Sequence, residues 1–317
     1  MFSFIKFLQG FLQKVKRNKG LWFTTLAVLS IFGIGISLYI LISMTKNVSK
    51  EVYVNISQTY TKSLKNRLVS EEETLKKILL TVKNDNTLIN DISTNNLQNV
   101  NTKIQSYNEN FKKSNFGELT IGFYPVINQV NQYRNSVNSV IERKVLNFGI
   151  EVLPDGIFIL LLEPVLQDDN LIGVLEIKEP LYSLKDDFSK DDSIFLFLLE
   201  QKMLNKLSIE ARKDKYREII DELNVEEERY NGAFFGKIVE GGREGYKELI
   251  DNGYYVDNQF FKTYKKVSDI NGNVIGIIVL GEVVEGSGAF VNIVDNMTKT
   301  VTTVALGLVI SILLFMF

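Results

Sequence analysis

The sequence predicts an α+β fold, a long amphipathic helix followed by two antiparallel-sheet units, the whole bracketed by two membrane-spanning helices. Three observations predict it. Uncharged runs stand near both ends, at residues 21–44 and 300–317. Residues 45–111 contain no proline and repeat apolar residues at helical intervals. Two stretches of turn chemistry and aliphatic runs share an internal spacing, Asn170-Leu171-Ile172-Gly173 with Glu179 and Asn273-Val274-Ile275-Gly276 with Glu282.

At 317 residues, with 45% hydrophobic and 23% charged side chains, the chain has room for two folded domains beyond its membrane segments. Zero cysteines removes disulfides, thiol chemistry and Cys-based metal sites together. Zero histidines removes a phospho-accepting His, a Ser–His couple and His-ligated zinc. The net charge of −2 hides an asymmetry: residues 1–20 hold five Lys/Arg and no acid, which leaves 31 of the 36 basic groups against all 38 acidic ones. An acidic remainder argues against nucleic acid as a partner.

Residues 1–20 interleave aromatics with that basic cluster, directly before the 24 uncharged residues 21–44. Such a run is long enough to cross a hydrocarbon core at about 1.5 Å per residue. Trp22 and Tyr39 near its ends fit interfacial positions. The basic flank predicts a cytoplasmic N-terminus and an uncleaved anchor in the lipid bilayer of a bacterial inner membrane, with residues 45–299 periplasmic or extracellular.

Residues 45–113 form the long helical region. Ile56, Tyr60, Leu64, Leu68, Leu75, Leu79 and Val82 supply an apolar stripe, and Glu72 with Lys76 is an i,i+4 pair in the favourable order. A break is expected in the Asn-rich residues 84–101. One domain would leave part of the stripe uncovered, so a homodimer through this helix is expected.

The first sheet unit occupies 114–183. Residues 118–125 read as a strand, 126–145 as a helix, and 148–153 as a second strand. Pro154-Asp155-Gly156 is a turn, followed by apolar strands at 157–162 and 171–177 joined through Asp168-Asp169. The second unit, 184–288, is more divergent. Residues 194–199 read as a strand, 214–229 as a charged helix, 234–240 as a strand, and 243–251 as a short helix after Gly241-Gly242. Asn271-Gly272 is a strong hairpin signal, with 274–284 as the returning strand. Residues 289–317 run from a helix into the second expected span, and the chain is expected to continue beyond it into an output module.

The pattern FYP…YR…GIEVLPDGIFI…EPVLQDDNLIGVLEIKE resembles the PAS-like extracytoplasmic fold called Cache, and with its second copy the double Cache group, over residues 45–284. The resemblance implies a sensor: the small-molecule input region of a bacterial transmembrane receptor of the chemoreceptor, sensor kinase or cyclase type. It also implies a ligand pocket between the first sheet and the helix and loops covering it. Tyr124, Arg134, Glu151 and Glu163 are the candidate ligand-binding residues. Arg134 offers a planar fork of donors for the carboxylate of an organic acid or amino acid; for an amine, Glu151 or Glu163 would be the counter-charge. The bland alternative is an Arg134 paired with an acid and a Tyr124 in the core. Gly173 and Gly276 read as sites of close backbone approach.

The remaining motifs carry less. Gly241, Gly242, Gly245, Gly286 and Gly288 fit no phosphate-binding pattern and read as loops. No catalytic, metal or cofactor constellation stands out, so an enzyme is not expected and no cofactor is assigned. The other function class is an envelope scaffold, anchored at both ends and binding another protein.

Overall fold

The computed structural model describes residues 19–114, 117–126, 133–220, 222–226 and 229–284, with 296, 299–304, 306–307 and 310 beyond them. The described chain divides into two compact units, Met1–Asn55 with Gly288–Phe317 and Ile56–Ser287. Among the described residues no helix is long and apolar enough to cross a membrane. The spans expected at 21–44 and 300–317 fall largely on residues outside those whose side chains are described. The helix expected from 289 likewise begins outside them.

The first helix, α1 (Lys19–Lys83), runs without interruption, as a proline-free sequence permits. Within the second unit its stripe is covered by the chain itself: Tyr60, Leu64, Leu75, Leu79 and Val82 are all buried. Tyr60 stacks on Phe261 at 6.1 Å between ring centroids and donates a hydrogen bond to Glu282 Oε2 at 3.0 Å. Arg67 lies over the Phe188 ring at 4.4 Å. Ile56 and Leu68 of the same stripe are half-buried. Asp85 accepts from the Thr87 and Leu88 backbone N–H groups and starts α2 (Asn86–Ser93), and Asn96 starts α3 (Leu97–Lys113).

The first sheet is antiparallel, in the order β1-β4-β3-β2, with β1 Thr120–Pro125, β2 Asn147–Leu153, β3 Gly156–Gln167 and β4 Asn170–Pro180. Its outer strand β1 is partly satisfied by Asn108 of α3, whose side chain brackets the Ile121 backbone at 2.7 and 3.0 Å. Asp168 and Asp169 both take positive φ, the mirror-image turn that suits a two-residue hairpin. The helix expected over 126–145 is described only as α4 (Asn135–Arg143); residues 127–132 lie outside the described set.

After a short helix, α5 (Leu184–Ser189), comes β5 (Ile194–Glu200) and a single helical turn, α6 (Ile209–Arg212). Two expectations are then corrected. Residues 214–229 hold a hairpin rather than a helix, β6 (Tyr216–Ile220) and β7 (Leu223–Glu226). Glu222 supplies a left-handed turn residue there, and Ile220, Leu223 and Val225 bury against the second sheet's core. Core burial overrides the charged, helix-like composition. Residues 234–240, expected as a strand, are helical, and with the expected helix over 243–251 they make up α7 (Gly232–Asn252), two helices joined at a kink. Asn231 caps it, and Phe234, Ile238, Gly245 and Leu249 form its buried face. Gly242 takes φ 54° and ψ −153°, which is non-helical, so two helices meet there at a kink, the second being the short helix expected after Gly241-Gly242.

β8 (Tyr254–Val256), β9 (Phe260–Ser268) and β10 (Val274–Val283) complete a second, separate sheet in the order β6-β7-β5-β10-β9-β8. The run β5-β10-β9-β8 repeats the order of β1-β4-β3-β2. Gly173 pairs with Pro125 and Val165; Gly276 pairs with Leu199 and Val267. Directly before each glycine the register slips by one residue, at Ile172 in β4 and at Ile275 in β10. Isoleucine–glycine in both copies thus marks a bulge followed by a close approach. The β9–β10 turn leans on the first sheet, with the Ile270 N–H donating to Ile150 O at 2.8 Å.

Candidate ligand-binding site

Period-two alternation sorts the first sheet's side chains onto two faces. Ile121, Ile159, Leu161, Leu175 and Ile177 are buried on one face. The other carries Tyr124, Glu151, Leu160, Leu162, Val174 and Glu176, and α4 packs on it through Val137 and Val140.

Arg134 does not lie inside the covering helix; it is the extended residue before α4, with φ −62° and ψ 158°. That position turns its side chain onto the sheet. Nε donates to Ser136 Oγ at 2.9 Å and Glu151 Oε2 at 3.0 Å, Nη1 donates to Tyr124 Oη at 2.5 Å, and Nη2 donates to Glu176 Oε2. Tyr124 Oη in turn donates to Glu176 Oε1 at 3.2 Å, and Ser136 Oγ to Glu151 Oε2 at 2.8 Å. The side chains of Glu151 and Glu176 are only 8% and 5% exposed. Tyr133 holds the entry to α4 by donating to Pro125 O at 2.7 Å and meets Tyr124 edge-on. One guanidinium faces two buried carboxylates and commits three of its five N–H groups to the cluster.

Three of the four candidates, Tyr124, Arg134 and Glu151, therefore come together. Glu163 does not. It lies on the opposite face of β3 and pairs with Lys83, the last residue of α1, at 2.6 Å. Two members of the cluster, Ser136 and Glu176, were not among the candidates. Glu176 left a signal in the sequence: it is an acid inside the aliphatic run 171–177, where a buried polar group needs a partner.

Beside the cluster a cavity of about 850 Å³ opens over Thr120, Gly122, Asp155, Phe158, Glu176 and Lys178. Gly122 leaves room above Glu176: a Cβ there would lie 3.5 Å from Glu176 Oε1. Lys178 Nζ binds Asp155 Oδ2 at 2.6 Å and stands 4.2 Å from the Phe158 ring centre. Glu118 and Lys112 line the cavity as well, so both signs of charge face one space.

The second sheet offers no copy of this site. Counting from the paired glycines, Tyr124 corresponds to Leu198 and Glu176 to Val279. Both are buried in an apolar core with Phe234 and Phe260, closed by α7. The buried charge on this face of the second sheet is of another kind, a Lys262–Asp257 pair over the Tyr255 and Phe260 rings.

No protein-family model matches the chain, and no curated protein matches it. Solved structures similar to it include sensory domains. The sensory domain of the Campylobacter jejuni chemoreceptor Tlp3 is 13% identical with a TM-score of 0.37, over 81% of this chain and 98% of that one. The ligand-binding domain of Mlp24 with asparagine is 11% identical with a TM-score of 0.33, over 80% and 99%. The sensor domain of the V. cholerae histidine kinase DctB is 11% identical with a TM-score of 0.37, over 72% and 97%.

Proposed function

We propose that this chain is the small-molecule sensing input region of a bacterial transmembrane receptor, and that the first sheet is its binding unit. The observation that carries the reading is the cavity beside the Tyr124–Arg134–Ser136–Glu151–Glu176 cluster. A buried charge network on one sheet, with apolar residues at the corresponding places of its repeat, is a specialised site rather than a packing device. In this reading the units are 45–113 helical, 114–183 binding and 184–288 membrane-proximal. Residues 21–44 and 300–317 are the two spans, the N-terminus is cytoplasmic and 45–299 lie outside. The role is recognition without chemistry, in a homodimer formed through α1.

The charges lining the cavity support a ligand class. Its acids Glu118, Asp155 and Glu176 oppose Lys112 and Lys178, an arrangement that complements the ammonium and carboxylate of one amino acid. The ammonium belongs near Glu176, the carboxylate near Lys178. Arg134 positions the acid rather than grasping the ligand. Occupancy would favour one arrangement of the sheet against α1, and the helix would carry the displacement.

Calorimetric titration of the full chain in lipid nanodiscs tests this, using amino acids alongside their amine-free and carboxylate-free analogues. An α-amino acid should bind at least tenfold more tightly than its amine-free analogue. Glu176→Gln should cost a charged hydrogen bond, about 1.5–3 kcal/mol, or roughly tenfold or more in affinity. Binding of organic acids alone, unaffected by Glu176→Gln, rules the assignment out.

A further inference from the structure

A second cavity, of about 640 Å³, lies between α1 and both sheets. Its walls are apolar where they are deepest: Leu64 of α1, Ile150 of β2, Val267 of β9 and Ile278 of β10 are buried, and Leu68 and Phe148 border them half-buried. Lys62 and Lys65 of α1 and Lys265 and Lys266 of β9 complete the rim. No aspartate or glutamate lines it. Among the described residues none of these four lysines forms an ion pair. Ser57, at one end, is already committed to Gly253 O at 3.1 Å and Thr263 Oγ1 at 2.6 Å.

Lys266 pairs with Ile277 and belongs to the other face of β9. Three lysines without an ion pair among the described residues, Lys62, Lys65 and Lys265, stand around an apolar trough in a chain of net charge −2, which matches one ligand chemistry. The trough removes hydrocarbon from water, and the rim supplies mobile positive charges for an anionic head. The absence of any acid disfavours cations and zwitterions. The volume falls in the range of about 300–1,000 Å³ typical of a site for one small molecule. We infer that the groove binds a free medium-chain fatty acid, its chain along Leu64, Leu68, Phe148 and Ile278 and its carboxylate among Lys62, Lys65 and Lys265. The site is separate from the cavity over Glu176, and it would give the receptor a second input. Its walls belong to the helix and to both sheets, so an occupant bears on all three together.

The test is photo-affinity labelling of the full chain in phosphatidylcholine nanodiscs with a dodecanoic acid carrying a terminal diazirine. Modified peptides are then mapped by mass spectrometry. Labels should fall within residues 57–68 and 265–278 and be competed away by dodecanoate. Between eight and twelve carbons each added methylene should strengthen competition about fourfold, the transfer preference of one methylene. Dodecanol and dodecyltrimethylammonium should compete at least tenfold less well. The triple variant Lys62→Gln, Lys65→Gln, Lys265→Gln should lose labelling at least tenfold, while Lys76→Gln keeps it. The chain-length and head-group series is read on the unaltered chain, so it decides the matter whether or not the variants fold. Equal competition by dodecanol, labelling spread over 21–44, or stronger competition by a lysophosphatidylglycerol would each overturn the inference.

Discussion

Gly173 and Gly276 hold the same place in two sheets, each one residue past a bulge and each facing a phenylalanine of the neighbouring strand, Phe123 in one case and Phe197 in the other. The equivalence is structural, yet the two neighbourhoods differ in what could give way. A Cβ on Gly173 would meet the Phe123 ring at 2.3 Å, the far end of a side chain. A Cβ on Gly276 would meet Leu198 O at 2.0 Å, which is backbone in the middle of a sheet. Gly173→Ala should therefore cost about 1–3 kcal/mol, an ordinary overpacking penalty. Gly276→Ala should cost more, because a strand must move. Urea unfolding of both variants measures the difference; equal losses would mean that the two bulges yield alike.

The contact between α1 and the first sheet should respond to pH through Glu71. Burial first, and then the neighbouring Glu179 carboxylate, push the Glu71 carboxyl up to about 8, with Asp187 adding repulsion. A carboxyl raised in the folded state holds a proton that the unfolded chain has released above its ordinary value near 4.5. Between those two values the folded protein binds more protons, so this group lowers stability as pH rises through the window. The melting temperature should fall from pH 5 to pH 8, and Glu71→Gln should flatten that slope. A slope unchanged by Glu71→Gln would place the pH response elsewhere.

Glu163 provides a control for the binding site. It sits across the sheet from the cluster and pairs with Lys83, both partners being partly exposed. Glu163→Gln should cost no more than about 1 kcal/mol, as partly exposed ion pairs usually do. Ligand affinity should stay within twofold of the unaltered chain, in contrast to Glu176→Gln. A tenfold loss in Glu163→Gln would show that the ligand reaches the α1 side of the sheet.

These residues also show how much of the molecule could be read from its sequence. The strands around Pro154-Asp155-Gly156 and Asn271-Gly272 were legible because turn chemistry and aliphatic runs agree there. The hairpin at 216–226 and the helical residues 234–240 were not, because charge and glycine content point the wrong way and only burial against the second core decides them. The site divides in the same manner. Tyr124, Arg134 and Glu151 could be named one by one. That Glu163 faces the other way, and that Glu176 takes its place, depends on the pairing register of β3 with β4, which no single stretch encodes.

Arg134 itself is the counter-ion that joins Glu151 to Glu176. Its side chain is 23% exposed, but the carboxylates it joins are nearly enclosed. Removing it leaves two buried carboxylates sharing a site without their counter-ion, the situation in which breaking a buried pair costs about 3–5 kcal/mol. Arg134→Ala should fall in that range by urea unfolding, and Arg134→Lys should recover only part of it, since one ammonium cannot reproduce the fork that reaches Glu151, Tyr124 and Glu176 together. Glu176→Gln made on the Arg134→Ala background should then stabilise, because it deletes the stranded charge. The coupling between the two substitutions should amount to about 0.5–3 kcal/mol. Should Arg134→Ala cost less than about 1 kcal/mol with no coupling to Glu176, the guanidinium is a solvated surface group, and the cavity beside it loses the framework on which recognition of an ammonium depends.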